Sequence, residues 1–218
     1  MKKFVCVLLL ISGVLCSRSQ KSYFNVKVSY ALFGTTRMLR AAMEHSGLNQ
    51  RATVLFVVNY PRSSRYPSVM LEGGKFIGSK KSISALAGLQ EAGWVKGYNG
   101  MNGVRLDYAN WILNPKINFH RSGAVLGMGP SALVLRYRKN KHDFGETYQQ
   151  SKLLPGVSLF AESVSKKSKG FRLGVFASLN LFPTFEIKPV KIESSTSSFY
   201  FESKINPSSL NLGFRFQF

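Results

Sequence analysis

The segment that most constrains the fold is residues 210–218, which alternates strictly between apolar and polar or small side chains. The apolar positions are Leu210, Leu212, Phe214, Phe216 and Phe218. A period of two residues predicts a β-strand with one apolar and one wet face. Such a row of large apolar side chains requires cover, and either a protein core or lipid can supply it.

The same alternation recurs along the chain and predicts an all-β fold. Eight antiparallel strands are expected at about residues 22–32, 67–77, 82–96, 104–119, 124–137, 156–165, 170–182 and 208–218. The segment 104–119 carries two registers, which a β-bulge near Ala109 and Asn110 would reconcile. Ten strands are the alternative, because residues 185–192 and 199–205 can pair with each other.

The first 19 residues have the features of a secretory signal peptide. Lys2 and Lys3 precede an apolar run over residues 4–16, and Ser17 and Ser19 occupy the cleavage positions. We therefore expect a signal peptide at residues 1–19 and one exported domain at residues 20–218, with an uncleaved anchor as the alternative. Both cysteines precede the cleavage position, so no disulfide framework or cysteine metal site is expected.

The chain is strongly basic, with 30 Lys and Arg against 10 Asp and Glu. Its hydrophobic fraction of 44% is too high for a disordered basic tail. In an exported chain this charge indicates anionic lipid or polysaccharide as the partner, and no nucleic acid is expected.

After residue 19 no segment is long and apolar enough for a transmembrane helix. A membrane location would therefore require a closed barrel, since only that alternative pairs every backbone polar group in hydrocarbon. The connections alternate between longer segments (33–66, 97–103, 138–155, 183–207) and short turns. This alternation and an even strand count are typical of bacterial outer-membrane barrels. The first long connection predicts a short helix, capped by Thr36 and ended by Gly47.

In these features the sequence resembles small outer-membrane β-barrel proteins. It is most similar to the porin-like barrels common in Bacteroidetes, with the architecture of the OmpA and OmpX transmembrane domains. The resemblance implies an eight-stranded up-and-down barrel, outer-membrane localisation and a monomeric state. It also implies that Phe214, Phe216 and Phe218 form the signal read by the barrel-assembly machinery.

Polar side chains of a barrel face its lumen, where charges are stable only if they are paired or hydrated. The residues expected to form lumen ion pairs are Lys27, Glu72, Glu91, Arg105, Asp107, Glu162, Arg172 and Arg215. An ion-pair plug that fixes the barrel is one reading of this set. A narrow ion path is the alternative.

The first long connection is cationic and offers contacts for an anionic ligand such as lipopolysaccharide phosphate. Its candidate residues are Arg37, Arg40, Arg51, Arg62 and Arg65. Plain solubility is the alternative explanation, and the short turns are basic as well. His45, His120 and His142 do not cluster, so no metal, cofactor or catalytic residue is expected. An interfacial aromatic girdle is also expected, formed by Tyr30, Trp94, Tyr98, Tyr108, Trp111 and Tyr137.

The sequence therefore predicts an integral outer-membrane barrel with a structural or surface-binding role through cationic extracellular loops, and no enzymatic activity. A secreted or periplasmic soluble β-protein that binds an anionic partner is the alternative. A lipid-modifying outer-membrane enzyme is the third possibility. The outer face separates the first two, because a barrel exposes its apolar belt and a soluble fold buries it.

We expect the protein in the outer-membrane fraction to migrate differently in detergent gels before and after boiling. A closed hydrogen-bond ring has no free edge, so it resists detergent until it is heated. Unchanged mobility, together with recovery of the protein from the soluble periplasm, would contradict the barrel.

Overall fold

The computed structural model describes residues 22–52, 57–59, 62–100, 102–139, 149–163, 172–193 and 198–218. Within them the chain forms one helix, α1 (Thr35–His45). The strands are β1 (Ser22–Phe33), β2 (Asn49–Ala52), β3 (Val57–Asn59), β4 (Arg62–Tyr66), β5 (Ser68–Phe76), β6 (Lys81–Gly100), β7 (Asn102–Arg121), β8 (Ala124–Lys139), β9 (Gln149–Ser163), β10 (Arg172–Leu181), β11 (Phe185–Glu193), β12 (Ser198–Ile205) and β13 (Ser209–Gln217). The expected signal peptide lies outside these ranges.

Eight strands, β1, β5 to β10 and β13, form a closed antiparallel ring. Each pairs with its neighbour along this series, and β13 returns to pair with β1, where Val28 lies opposite Phe214. Phe218 extends this seam, since its backbone N–H donates to the Phe24 carbonyl over 2.9 Å. The prediction of eight strands is confirmed. The alternative of ten is wrong, because β11 and β12 pair only with each other in a separate hairpin.

The outer face of the ring is an apolar belt. Leu126, Val175 and Phe214 expose 61%, 54% and 56% of their surface, although all three are large apolar residues. The alternate positions of these strands are buried on the inside, and on β10 and β13 they include Asn180 and Arg215. A soluble sandwich would hide the apolar face beneath a second sheet, whereas a barrel in a membrane turns it toward lipid. In the described part of the chain, no helix has the length and apolar character to cross a membrane.

The two ends of the ring differ. At the lower end the strands join through short connections, one of which turns at Ser122 and Gly123 with φ of +29° and +82°. The upper end carries α1, the short strands β2 to β4 and the β11–β12 hairpin. There β2 pairs in parallel with the top of β6, and β4 pairs with β6 in the antiparallel sense. The upper end therefore holds most of the structure outside the ring.

The bulge predicted near Ala109 and Asn110 is absent from β7, where inward and outward residues alternate without interruption. The irregularity lies in the neighbouring strand β6, which places Leu89 opposite Trp111 and Glu91 opposite Asn110. The two registers read from the sequence arise because the inward face changes from apolar to polar along β7.

Strand β9 begins earlier than the sequence pattern indicated. Its first residues, from Gln149, pair with β8 beyond the belt, and Arg138 lies opposite Gln149. The sequence does not predict this stretch as a strand, because its residues are largely polar and do not show the apolar alternation that predicts a strand. Strands β6, β7, β8 and β9 therefore rise above the apolar belt as a continuous wall.

Placing arginine on the belt is expected to block assembly. Val175→Arg puts a charge on the lipid face at a cost of roughly 2–4 kcal/mol near the midplane. The matched control is Ser151→Arg, an exposed position on β9 that lies beside Arg136 above the belt. Heat-dependent gel mobility of the membrane fraction measures the outcome. Normal assembly of Val175→Arg would contradict a lipid-facing belt.

Candidate functional site: the lumen and the helix-capped mouth

The lower end of the lumen is filled by a neutral hydrogen-bonded cluster. Asn118 donates to the hydroxyls of Tyr23 and Ser84, each over 2.9 Å. The Tyr23 hydroxyl also lies 3.0 Å from that of Ser82, which in turn lies 2.8 Å from Nε2 of His120. These side chains come from three strands, β1, β6 and β7, so they connect parts of the ring across its interior.

Above this cluster lies the lumen network, which consists of Lys27, Glu72, Lys116, Glu162 and Arg215. The Lys27 ammonium pairs with both carboxylates and lies 2.6 Å from Glu72. The Lys116 ammonium lies 3.1 Å from Glu72 and 2.9 Å from Glu162. The Arg215 guanidinium lies 3.0 Å from the second oxygen of Glu162. Every member is at least nine-tenths buried, so the charges fill the lumen instead of lining a water path.

Neighbouring side chains complete the network. Asn25 and Ser84 donate to Glu72 over 3.1 and 2.7 Å. The ring of Phe160 lies beneath both lysines, with centroid distances of 5.1 Å to Lys27 and 4.1 Å to Lys116. Removing water from charges is costly unless their partners replace it. The network meets this requirement by giving each carboxylate more than one cationic partner.

The upper end is closed by α1, which is fixed to the wall by Glu91. The Glu91 carboxylate accepts from the backbone N–H groups of Thr35 and Thr36 over 2.8 and 3.1 Å. It also accepts from the hydroxyl of Tyr108 over 3.0 Å. A carboxylate here satisfies the open N–H groups of the first turn and the positive end of the helix dipole. Gly34 permits the approach, because a Cβ there would lie 2.3 Å from the carboxylate.

An apolar core fills the space between the helix and the lumen network. Leu39 and Met43 of the helix are fully buried against inward residues of the upper strands. The β11–β12 hairpin contributes Phe185, Phe201 and others to the same core. The interior therefore has a polar lower part and an apolar upper part.

Some of the residues predicted to form lumen ion pairs lie in the lumen network, and others lie elsewhere. Lys27, Glu72, Glu162 and Arg215 lie in the lumen network. Lys116 joins them, although the sequence analysis did not include it among the ion pairs. Arg172 lies half-buried at the lower end, opposite Gln217 on the neighbouring strand.

Three predicted members require correction. Glu91 binds the neutral groups of the helix N-terminus and Tyr108 instead of a lumen base. Arg105 and Asp107 point outward and form a half-exposed pair at 2.9 Å. They share a face with Trp111, because the alternation of β7 is unbroken.

The candidate arginines of the first long connection do not converge on one point. Arg37 is exposed and packs over the ring of Phe33 at 4.4 Å, and Arg40 pairs with Glu44 at 3.1 Å. Arg65 is held to the wall, since it donates to the Ala31 carbonyl over 2.6 Å. Arg62 is exposed on β4. The side chain of Arg51 lies outside the described part of the structure.

The expected aromatic girdle is also only partly external. Tyr30 and Trp111 are exposed on the outer face. Tyr108 and Tyr137 are buried inside, where their rings stack with centroids 6.3 Å apart. Phe214 and Phe218 are exposed on the outer face of the closing strand β13 or directly after it, and Phe216 is half-buried there.

The closed ring, the apolar belt and the polar lower part of the interior define the chain as a small β-barrel of the outer-membrane type. No protein-family model and no curated protein matches the sequence.

Three solved structures are similar to this chain at low sequence identity. One is Ail, the attachment invasion locus protein of Yersinia pestis, solved in complex with the heparin analogue sucrose octasulfate, with 9% identity, TM-score 0.45 and coverage of 92% of this chain and 100% of that one. Neisserial surface protein A has 10% identity, TM-score 0.40 and coverage of 92% and 98%. The outer membrane protein AlkL, solved in lipid bilayers, has 12% identity, TM-score 0.43 and coverage of 93% and 92%. The strand pairings of this chain themselves establish its barrel.

Removing one lumen carboxylate is expected to destabilise the barrel. Glu162→Gln leaves Lys27 and Lys116 with Glu72 as their remaining acid and removes the acid that pairs with Arg215. Breaking a buried pair in this way costs about 3–5 kcal/mol. The matched control is Glu186→Gln, whose pair with Lys204 is exposed and contributes about 0–1 kcal/mol. Urea unfolding in detergent micelles, followed by tryptophan fluorescence, measures both. Equal stability of the two variants would contradict a structural network.

Proposed function

We propose that the protein is a monomeric, exported outer-membrane barrel whose role is structural or surface-binding, exercised through its cationic upper end. The observation that carries the proposal is the closure of the interior. The lumen network fills the middle of the barrel, and α1 with its apolar core fills the mouth. Solutes therefore meet the outer surface of the upper end first, and that surface offers the chemistry for binding.

The orientation of the barrel supports an extracellular position for this end. Outer-membrane barrels have short periplasmic turns and longer extracellular loops. The lower end here has the short turns, and the upper end carries α1 and the β11–β12 hairpin. Arg37, Arg40 and Arg62 would then face the medium, where lipopolysaccharide or another anionic surface ligand is the expected partner.

The closing strand supports a role in assembly. The apolar side chains of Phe214 and Phe218 are exposed on the outer face, beside the seam with β1. In this position they are accessible before the ring closes. We assign to them, with Phe216, the signal that the barrel-assembly machinery reads.

Catalysis is not part of the proposed function. His45 donates from Nδ1 to the Ala41 carbonyl within its own helix, and His120 binds Ser82 at the opposite end of the barrel. His142 lies beyond the described residues. Among the residues that the structure describes, no group of three or more metal-ligating side chains is present.

Neutralising the loop arginines tests the binding role. Arg37, Arg40, Arg51 and Arg62 are changed together to Gln, and Arg65 is retained because it holds the Ala31 carbonyl. With dextran sulfate as the anionic probe, we expect the affinity to fall about tenfold and to depend less on salt, because fewer ion contacts remain to be screened. Titration of the refolded protein at several salt concentrations measures both effects.

The matched control changes the same number of cations at the lower end, with Lys75, Lys80, Lys81 and Arg121 replaced by Gln. This variant has the same net charge as the loop variant but an intact upper end. Equal loss of affinity in the two variants would show that net charge alone binds the probe and would overturn the proposed surface.

A further inference from the structure

A second cationic surface lies on the outer wall of the barrel, between the apolar belt and the mouth. This wall patch consists of Lys96 on β6, Arg105 on β7, and Arg136 and Arg138 on β8. All four occupy outward positions, because the residues that alternate with them, such as Val95, Leu106 and Leu135, are fully buried inside. Asp107 is the acid among them, opposite Arg138.

Strand register fixes the height of the patch above the belt. Trp111 and Val134, opposite each other, form the top apolar row on β7 and β8. Arg136 follows two residues above Val134, Arg138 follows four above it, and Arg105 lies six above Trp111. With a rise of about 3.3 Å per residue and a tilt of about 40°, these rows lie roughly 5, 10 and 15 Å above the belt.

This height matches the headgroup layer of a membrane. Half the difference between a hydrocarbon core of about 30 Å and a bilayer of 40–45 Å is roughly 5–8 Å. Arg136 therefore lies at the depth of a phospholipid headgroup. Arg138, Arg105 and Lys96 lie higher, which fits a headgroup taller than that of an ordinary phospholipid.

Cations outnumber acids in the wall patch. Lys96 lies directly opposite Arg105 in the β6–β7 register, and like charges at opposed positions destabilise a sheet. Asp107 accepts from Arg105 over 2.9 Å, which offsets part of the repulsion. The Arg105 guanidinium lies 4.9 Å from the ring of Trp94, and the Lys96 ammonium lies 4.8 Å from the ring of Tyr98. One acid among four cations leaves the patch with a positive surplus.

We propose that the wall patch binds the phosphate groups of a phosphorylated glycolipid in the outer leaflet. This inference rests on the outer-membrane position given in the proposed function. Of the loop arginines, Arg62 borders the patch, since it lies opposite Lys96 in the β4–β6 register. The arginine guanidinium matches phosphate with two parallel hydrogen bonds. The lipid's acyl chains would lie on the apolar belt directly below, so one molecule satisfies both surfaces.

The test measures retention of diphosphoryl lipid A by the folded barrel in detergent micelles, using native mass spectrometry. The variant is Arg136→Gln with Arg138→Gln. We expect its apparent affinity to fall about tenfold or more, because the charge-assisted hydrogen bonds to phosphate are lost. The matched control is Lys80→Gln with Arg121→Gln at the lower end, where retention should not change. Gel mobility before heating establishes that each variant is folded. Arg138→Gln alone provides the same comparison if the double variant does not fold.

Three results would overturn the proposal. These are undiminished retention by the folded variant, equal retention of lipid A without phosphates, and equal retention of phosphatidylglycerol.

Dextran sulfate binding separates this inference from the proposed function. Loss of lipid A with normal dextran sulfate binding supports the wall patch as a separate site. Normal lipid A retention by the loop-arginine variant supports the patch even if the loops prove not to bind.

Discussion

Pairing between the first and last strands is the interaction on which the rest of the structure depends. Residues 24–33 of β1 pair with residues 210–218 along and directly after β13, and this pairing closes the ring. The eight barrel strands therefore leave no open edge. Hydrocarbon offers no water to satisfy an open edge, and only closure allows the apolar side chains to face lipid. The lumen then becomes a space of fixed width that side chains must fill.

The lumen is filled by two different means. In its lower part, lysines and glutamates from distant strands neutralise one another, and Phe160 covers the cations. In its upper part, α1 and the β11–β12 hairpin bring apolar residues into the mouth. Glu91 shares features with both parts, because it is a buried acid like those of the lumen network but its positive partner is the N-terminus of α1. Because the interior is filled, the outer wall and the loops are the surfaces of the barrel that remain accessible.

Much of this arrangement could be predicted from local pattern, and the failures have physical causes. The lumen side of Lys27 and Glu162 follows from alternation, since a one-residue step exchanges the faces of a strand. The role of Glu91 could not be read locally, because it caps a helix more than fifty residues earlier in the chain. The absence of an acid in the first turn of α1 was the available signal that a distant group serves it. The prediction that Arg105 lies in the lumen is wrong. It assumes a polar interior along the whole strand, whereas apolar residues fill the upper lumen and polar residues face outward there.

The sequence by itself determined the all-β class, the eight barrel strands, the apolar outer face and the basic character of the chain, because each depends on residue type and a two-residue period. The tertiary structure decided which charges meet, where the bulge lies and that the mouth is closed by α1. Those outcomes depend on the register between strands that are far apart in sequence. Register also brings Arg105, Arg136 and Arg138 together on one wall, which no local pattern specifies.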